Sequence, residues 1–384
     1  ARTTTIIGND DQFTKAVGQS TDVVEKEMYA LNDRNDESLC LRPEGTAGVV
    51  RAVLQHGLLN PPGLKTWYRG PMFRYERPQK GRQRQFYQVG AEVFGMADPI
   101  ADAELIAMVH RIWHALEIAQ HVTLEINSLG DKQDRAEYRV ALQEYLRPFQ
   151  AELDADSQRR LETNPLRIFD SKSASTQAIM KNAPLLTEYL GQDARQHFEQ
   201  VCLLLDQLGI AYRVNPGLVR GIDYYGRSVF EWKTDRLGAQ GTICAGGRYN
   251  DLVEMQGGKP TPGIGFALGM ERLLELVQKT ERSYARPPDA YLVSTLTNGE
   301  PLVLAEQLRS DWPELKLHVD LIGGSFKAQF RRADRSGAEW ALVLAEDELA
   351  SGRIAVKHLR GKKAQQSIQR KALADWLKLN SVQA

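Results

Sequence analysis

Cysteine is scarce in this chain. Cys40, Cys202 and Cys244 are the only three in 384 residues, and they lie far apart. Without a CxxC pair, neither a disulfide framework nor a cysteine-rich zinc site is expected, and the pattern fits a reducing, cytoplasmic setting. An excess of one charge is also lacking: Lys+Arg and Asp+Glu both number 49. That balance excludes a generally basic coat for nucleic acid, but not local basic patches. No apolar run approaches the ~20 residues that span a bilayer, so no membrane partner is expected. The start, Ala1-Arg2-Thr3-Thr4-Thr5, has no apolar stretch of signal-peptide length. It also lacks Met, which fits a chain trimmed at that end. Histidine is sparse too, at seven residues; none falls in a motif, and no catalytic histidine is expected. What remains is ordinary globular material, 42% hydrophobic and 26% charged, enough for sizeable cores in two or three domains.

Helix-compatible patterning begins near Phe13 and recurs at Glu44–Leu59. After the break Asn60-Pro61-Pro62-Gly63 come two strand-like runs, Thr66–Glu76 and Arg84–Phe94, joined as a long-looped β-hairpin. Ala101–Leu116 reads as helix and His121–Asn127 as strand. From about Gly130 to Ile210 charged amphipathic helices dominate, with breaks at Pro148, Pro165 and Pro184. Strand character returns at Ala211–Asn215, Ser228–Lys233 and Gly241–Gly247, and Gly263–Lys279 reads as a glycine-punctuated helix. Beyond Arg286-Pro287-Pro288 the alternation of strand and helix suggests a small α/β domain, with 15 Lys/Arg against 12 Asp/Glu.

The hairpin carries the first sign of chemistry. Between Arg69 and Arg84 stand six Lys/Arg and one acid. Side chains alternate along a strand, so Arg84, Phe86, Gln88, Gly90, Glu92 and Phe94 share one face, and Met72, Arg74 and Glu76 share one on the first strand. A merely solvated face would expose Phe86 and Phe94 beside charges. A polar pocket floored by the sheet is the better reading. There, arginine can clamp a phosphate or carboxylate, an aromatic can stack on a base, and a glutamate can accept a proton-bearing group.

The run Phe73-Arg74-Tyr75-Glu76-Arg77-Pro78-Gln79-Lys80-Gly81-Arg82-Gln83-Arg84-Gln85-Phe86 resembles motif 2 of class II aminoacyl-tRNA synthetases in its histidyl form. Gly263-Ile264-Gly265-Phe266-Ala267-Leu268-Gly269-Met270-Glu271-Arg272-Leu273 resembles motif 3. Leu218-Val219-Arg220-Gly221-Ile222-Asp223-Tyr224-Tyr225 and the following residues to Trp232 are similar to the first histidine-specific motif of the histidyl-tRNA synthetase family, and Ala245-Gly246-Gly247-Arg248-Tyr249 to the second. The resemblance implies an α+β fold: a class II antiparallel β-sheet flanked by helices, a helical insertion and a C-terminal α/β anticodon-binding domain. The implied division is 1–130 and 211–285 for the two parts of the catalytic domain, 131–210 for the insertion and 286–384 for the anticodon-binding domain.

It also implies an ATP-dependent ligase that joins L-histidine to tRNA(His), with Mg2+ accompanying ATP and no metal site from the protein. ATP would meet Arg74 at the α-phosphate, Glu76 and Phe86 at adenine, and Arg82 and Arg272 at the outer phosphates. Histidine would meet Glu44, Thr46 and Gln88 through its amino group, and Glu92 and Tyr225 through its imidazole, with Tyr224 lining the pocket. Arg220 would touch both carboxylate and α-phosphate and, with Arg74, carry the catalytic charge stabilisation. Two hydrogen-bonding partners for imidazole allow selection of roughly 10⁴–10⁵ without editing. Gln79 and Lys80 are implied tRNA contacts, and a cytoplasmic homodimer is the implied state.

The resemblance has gaps. Ala1–Asp11 contains no proline and no recognisable motif 1, so this end is either trimmed or divergent. Asn250-Asp251 stands where the family has Asp-Gly, Gly226 where Asn is commoner, and Tyr87 where His is frequent. One alternative is a non-catalytic regulatory subunit of histidine biosynthesis, which lacks the C-terminal domain and loses catalytic arginines. Another is a class II synthetase for a different amino acid.

Overall fold

The structure is a computed structural model that describes residues 4–18, 21–238, 241–280, 286–361 and 363–381. The chain forms two compact units, residues 1–281 and 282–384.

The first unit opens with a small antiparallel sheet of β1 (Ile7–Asn9), β2 (Ala30–Asn32) and β3 (Ser38–Leu41), with α1 (Asp10–Val17) between its first two strands. Asn9 caps α1 by accepting from the Asp11 amide at 2.9 Å. α2 (Thr46–Gln55) follows and carries Ala47, Val49, Val50 and Val53 into the core. The central sheet then begins with β4 (Leu64–Phe73) and β5 (Gln85–Phe94), paired from Leu64↔Phe94 to Phe73↔Gln85. The chain continues through α3 (Ile100–Ala115) and β6 (Thr123–Ser128) into α4 (Lys132–Leu146), α5 (Ala155–Thr163), α6 (Ala174–Met180) and α7 (Gln192–Gln207). It returns as β7 (Tyr212–Val214), β8 (Gly226–Lys233), β9 (Thr242–Arg248), α8 (Leu252–Met255), β10 (Gly263–Gly269) and α9 (Met270–Gln278). The sheet order is β4-β5-β10-β9-β8-β6-β7, antiparallel except for β6 with β7.

Alternation along the strands divides two cores. Ala91, Val93, Ile264, Phe266, Phe230 and Trp232 meet α3, α7 and α9 on one face. Phe94 and Val229 face the other side, with α1, α2 and the helical insertion: Leu142, Leu161 and Ile168 share one core with Phe13 and Val17. The insertion is thus packed into the first unit.

The glycine-rich segment 263–279 departs from the sequence expectation. Its first seven residues are a strand and only 270–278 are helical. Ile264, Phe266 and Leu268 are buried with period two, while glycine is a poor helix former. A Cβ on Gly265 would lie 1.6 Å from Glu92 Oε2, and one on Gly246 would lie 2.3 Å from the Gly265 carbonyl oxygen. The glycines therefore let a carboxyl side chain and a neighbouring strand close on the sheet.

The second unit has the strand order β12-β11-β13-β14-β15, made of β11 (Ala290–Ser294), β12 (Leu317–Val319), β13 (Trp340–Leu344), β14 (Arg353–His358) and β15 (Gln366–Gln369). The first three pair in parallel and the last two add antiparallel strands. Helices α10 (Glu300–Asp311), α11 (Phe326–Arg335), α12 (Glu346–Ser351) and α13 (Leu373–Asn380) complete it. Among the described residues no helix is long and apolar enough to cross a membrane.

Candidate active site

On the sheet face away from α3 and α7 lies a cavity of about 300 Å³. The hairpin, the start of α2, the loop before β8, strand β9 and the β10–α9 junction all contribute to its wall. Eleven of the residues anticipated from the sequence line it: Glu44, Thr46, Arg74, Glu76, Arg82, Phe86, Gln88, Arg220, Tyr224, Tyr225 and Arg272.

The arginines arrive from separate elements, each oriented by carbonyl oxygens or acids. Arg74 Nε donates to the Pro43 carbonyl at 2.9 Å, and its guanidinium sits 5.5 Å from the centroid of the Phe86 ring. Arg272 donates to the Gly81 and Thr242 carbonyls, both at 2.8 Å, which ties α9 to the hairpin tip and to β9. Its pKa is lowered, chiefly by burial and then by neighbouring Arg82. Arg82 pairs with Glu76 across the hairpin loop. Arg220 pairs with Glu231 of β8, which also accepts from Thr242 Oγ1 at 3.1 Å and lies 3.3 Å from Lys233 Nζ. Burial disfavours the charged guanidinium of Arg220, but Glu231 and the two tyrosines outweigh it and its pKa is raised.

Acids and phenols close the inner end. Glu44 is 4% exposed and caps α2, accepting from the Thr46 and Ala47 amides at 2.6 and 2.8 Å. Burial raises its pKa. Tyr224 and Tyr225 lie ring to ring at 4.6 Å, and Arg220 stands 5.3 Å from the Tyr225 centroid.

Glu92 lies behind this wall rather than on it, 1% exposed. Thr46 donates to Glu92 Oε1 at 2.8 Å and the Tyr249 hydroxyl donates to Oε2 at 2.5 Å. Burial pushes its pKa up to about 8, against the pull of those hydrogen bonds. Gln79 and Lys80 sit apart from the cavity at the exposed hairpin tip, where Gly81 adopts φ 70° and donates its amide to Glu275 at 3.1 Å.

Several wall residues escaped sequence reasoning. Tyr68 fills the space over Gly45 and Gly90, where a Cβ would come within 2.3 and 2.4 Å of its ring. Glu231 holds Arg220 and is itself held by Thr242, and Glu271 accepts the Tyr87 amide at 3.0 Å. The one available signal was an acid, Glu231, between Phe230 and Trp232 on a buried strand.

Arginines converging from a looped hairpin and a glycine-strand–helix junction over an antiparallel sheet place this architecture among the class II aminoacyl-tRNA synthetases. Comparison with known proteins narrows the class. A family profile described as Histidyl-tRNA synthetase matches residues 11–273, and one described as Anticodon binding domain matches 297–380. The chain is 54% identical over 373 residues to the histidine–tRNA ligase of Alkalilimnicola ehrlichii, spanning 97% of this chain and 86% of that protein. It is similar to the crystal structure of apo S. aureus histidyl-tRNA synthetase, with a TM-score of 0.78 at 35% identity, covering 98% of this chain and 90% of that one. The fold also matches histidyl-tRNA synthetase from Nostoc, with a TM-score of 0.68 at 20% identity over 98% and 90% of the two chains. The chain belongs to the histidyl-tRNA synthetase family.

Proposed function

We infer that this chain ligates L-histidine to tRNA(His) in two steps. In the first, a histidine carboxylate oxygen bonds to the α-phosphorus of ATP and the bond to pyrophosphate breaks. In the second, the terminal hydroxyl of tRNA attacks the activated carbonyl and AMP leaves. The observation that carries this reading is the convergence of Arg74, Arg220 and Arg272 on a cavity whose inner end is closed by Glu44, Tyr224 and Tyr225. Fixed guanidinium groups stabilise developing phosphoryl charge without reorganising. The retained arginines and the ligase relative spanning 97% of the chain favour an enzyme over a regulatory subunit.

In this reading Phe86 stacks on adenine, Glu76 accepts its amino group once Arg82 turns to the outer phosphates, and Arg272 follows the same phosphates. Mg2+ enters as part of the ATP complex, and no side chain is assigned to it. Glu44, Thr46 and Gln88 receive the amino group. Tyr225 and Glu92 take the two imidazole nitrogens, Glu92 from behind the wall where Thr46 and Tyr249 now hold it. Gln79 and Lys80, exposed at the hairpin tip, meet the tRNA acceptor end, and residues 286–384 meet the anticodon. The working state is a cytoplasmic homodimer.

ATP–pyrophosphate exchange with each amino acid in turn tests this. Exchange should depend on histidine alone; no exchange with histidine, or equal exchange with another amino acid, removes the reading.

A further inference from the structure

Arg220 sits on a stretch without regular structure, residues 215–225, so its backbone needs support from elsewhere. That support comes from the helical insertion. Arg167 is 5% exposed and donates through Nη1 to the Arg220 carbonyl at 3.1 Å. A buried guanidinium is costly unless paired, and this one lies 3.4 Å from Asp170 and 3.9 Å from Asp22. Asp22 is fixed in turn by Arg160 at 2.8 Å. Three residues before Arg167, Asn164 donates to Asp223 Oδ1 at 3.1 Å, while the Asp223 amide donates to the Val17 carbonyl at 3.0 Å. The fit is close: a Cβ on Gly221 would lie 3.1 Å from Arg167 Nη1. Residues 220–223 are thus held between the insertion and the end of α1.

We propose that Arg167 is a positioning residue: the insertion braces the Arg220 loop through it, so that the Arg220 side chain meets the reacting groups at a fixed place. This rests on the role given to Arg220 above. Arg167 itself touches no substrate; it acts by holding a backbone carbonyl whose residue carries the charge. A misplacement of about an ångström lowers a rate by up to roughly 100-fold, so the brace bears on turnover more than on histidine affinity.

The test uses the full chain with Arg167→Met, Arg167→Lys, Arg220→Lys and the Arg167→Met/Arg220→Lys double variant. Two readouts are followed: kcat and KM for histidine in ATP–pyrophosphate exchange, and amide hydrogen exchange of residues 217–224. In Arg167→Met, kcat should fall roughly 10–100-fold with histidine KM nearly unchanged. Amides 219–224 should exchange faster while β5, β9 and β10 keep their protection. Arg167→Lys should recover part of the rate, because an ammonium can still donate to the carbonyl. In the Arg220→Lys background, Arg167→Met should cost little more, since both changes act through one group. Additive losses, or wild-type loop exchange in a folded Arg167→Met protein, overturn the brace. If the wild-type chain shows no histidine-dependent exchange, the functional reading fails while loop protection still judges the brace. Should Arg167→Met not fold, Asn164→Ala takes its place: faster exchange at 221–223 supports the brace and unchanged exchange overturns it.

Discussion

Glu92 shows how much of this site is set by the surroundings of one side chain. Its carboxyl is buried, and its pKa rises from the ordinary 4.5 to about 8. A raised acid pKa gives stability that is fully present below the unfolded value and lost as pH rises through the folded one. Wild-type stability should therefore decline between pH 4.5 and 8 through this group. Glu92→Gln removes the charge while keeping an acceptor for Tyr249. The variant should gain on wild type over that window, by about 5 kcal/mol at most, since one pKa unit is about 1.36 kcal/mol. Thermal unfolding from pH 5 to 8.5 checks this; parallel curves would contradict it. Glu92→Ala should instead weaken histidine binding strongly, measured by calorimetry, and near-normal affinity would take Glu92 out of the imidazole role. For Arg220→Ala, adenylation should fall by roughly 10²-fold or more while histidine binding changes far less, because the charge it meets develops in the transition state. Equal losses in both would leave Arg220 only a substrate-positioning task. Arg74 and Phe86 stood out in the sequence by their shared sheet face beside charge, and Arg220 and Arg272 by their place in motifs that resemble the family's; all four line the cavity. Glu231 and Tyr68 were not, because what defines them is a partner on another element.

At the scale of elements, the glycines of β10 tie the sheet to the site. Gly265 lacks a side chain where the Glu92 carboxyl lies. Gly265→Ala should destabilise the protein by about 1–3 kcal/mol through overpacking and should raise the histidine KM by displacing Glu92. Urea unfolding and steady-state exchange kinetics measure the two effects, and a stable variant with unchanged KM would contradict the account. The hairpin was legible at sequence level, since its breaks and alternation are local signals. The strand character of 263–269 was harder to read: the same glycines fit a punctuated helix until β5 and β9 are seen on either side. The short strands β2 and β3 carry no strong alternation and exist through pairing with β1 and with each other.

Across the whole molecule, charge is balanced at 49 against 49, so tRNA recognition depends on where charge is placed rather than on how much there is. The two compact units suggest a division of labour. Residues 1–281 alone should still catalyse histidine-dependent pyrophosphate exchange, while tRNA charging should fall by roughly 100-fold or more, because the second contact with the tRNA is lost. Pyrophosphate exchange and aminoacylation assays on the fragment separate the two activities; undiminished charging would count against the role given to residues 286–384. Through its resemblance to the histidyl-tRNA synthetase family, the sequence by itself pointed to the ligase chemistry, the α+β class and the motif residues, since the motifs that carry the resemblance are short local runs. Only the tertiary structure decided that Arg220 meets Glu231 of β8, that Tyr249 meets Glu92 across 157 positions, and that Arg167 reaches the Arg220 carbonyl from the insertion. Those contacts follow from strand register and from two segments sharing one core, and neither is a local property of the chain.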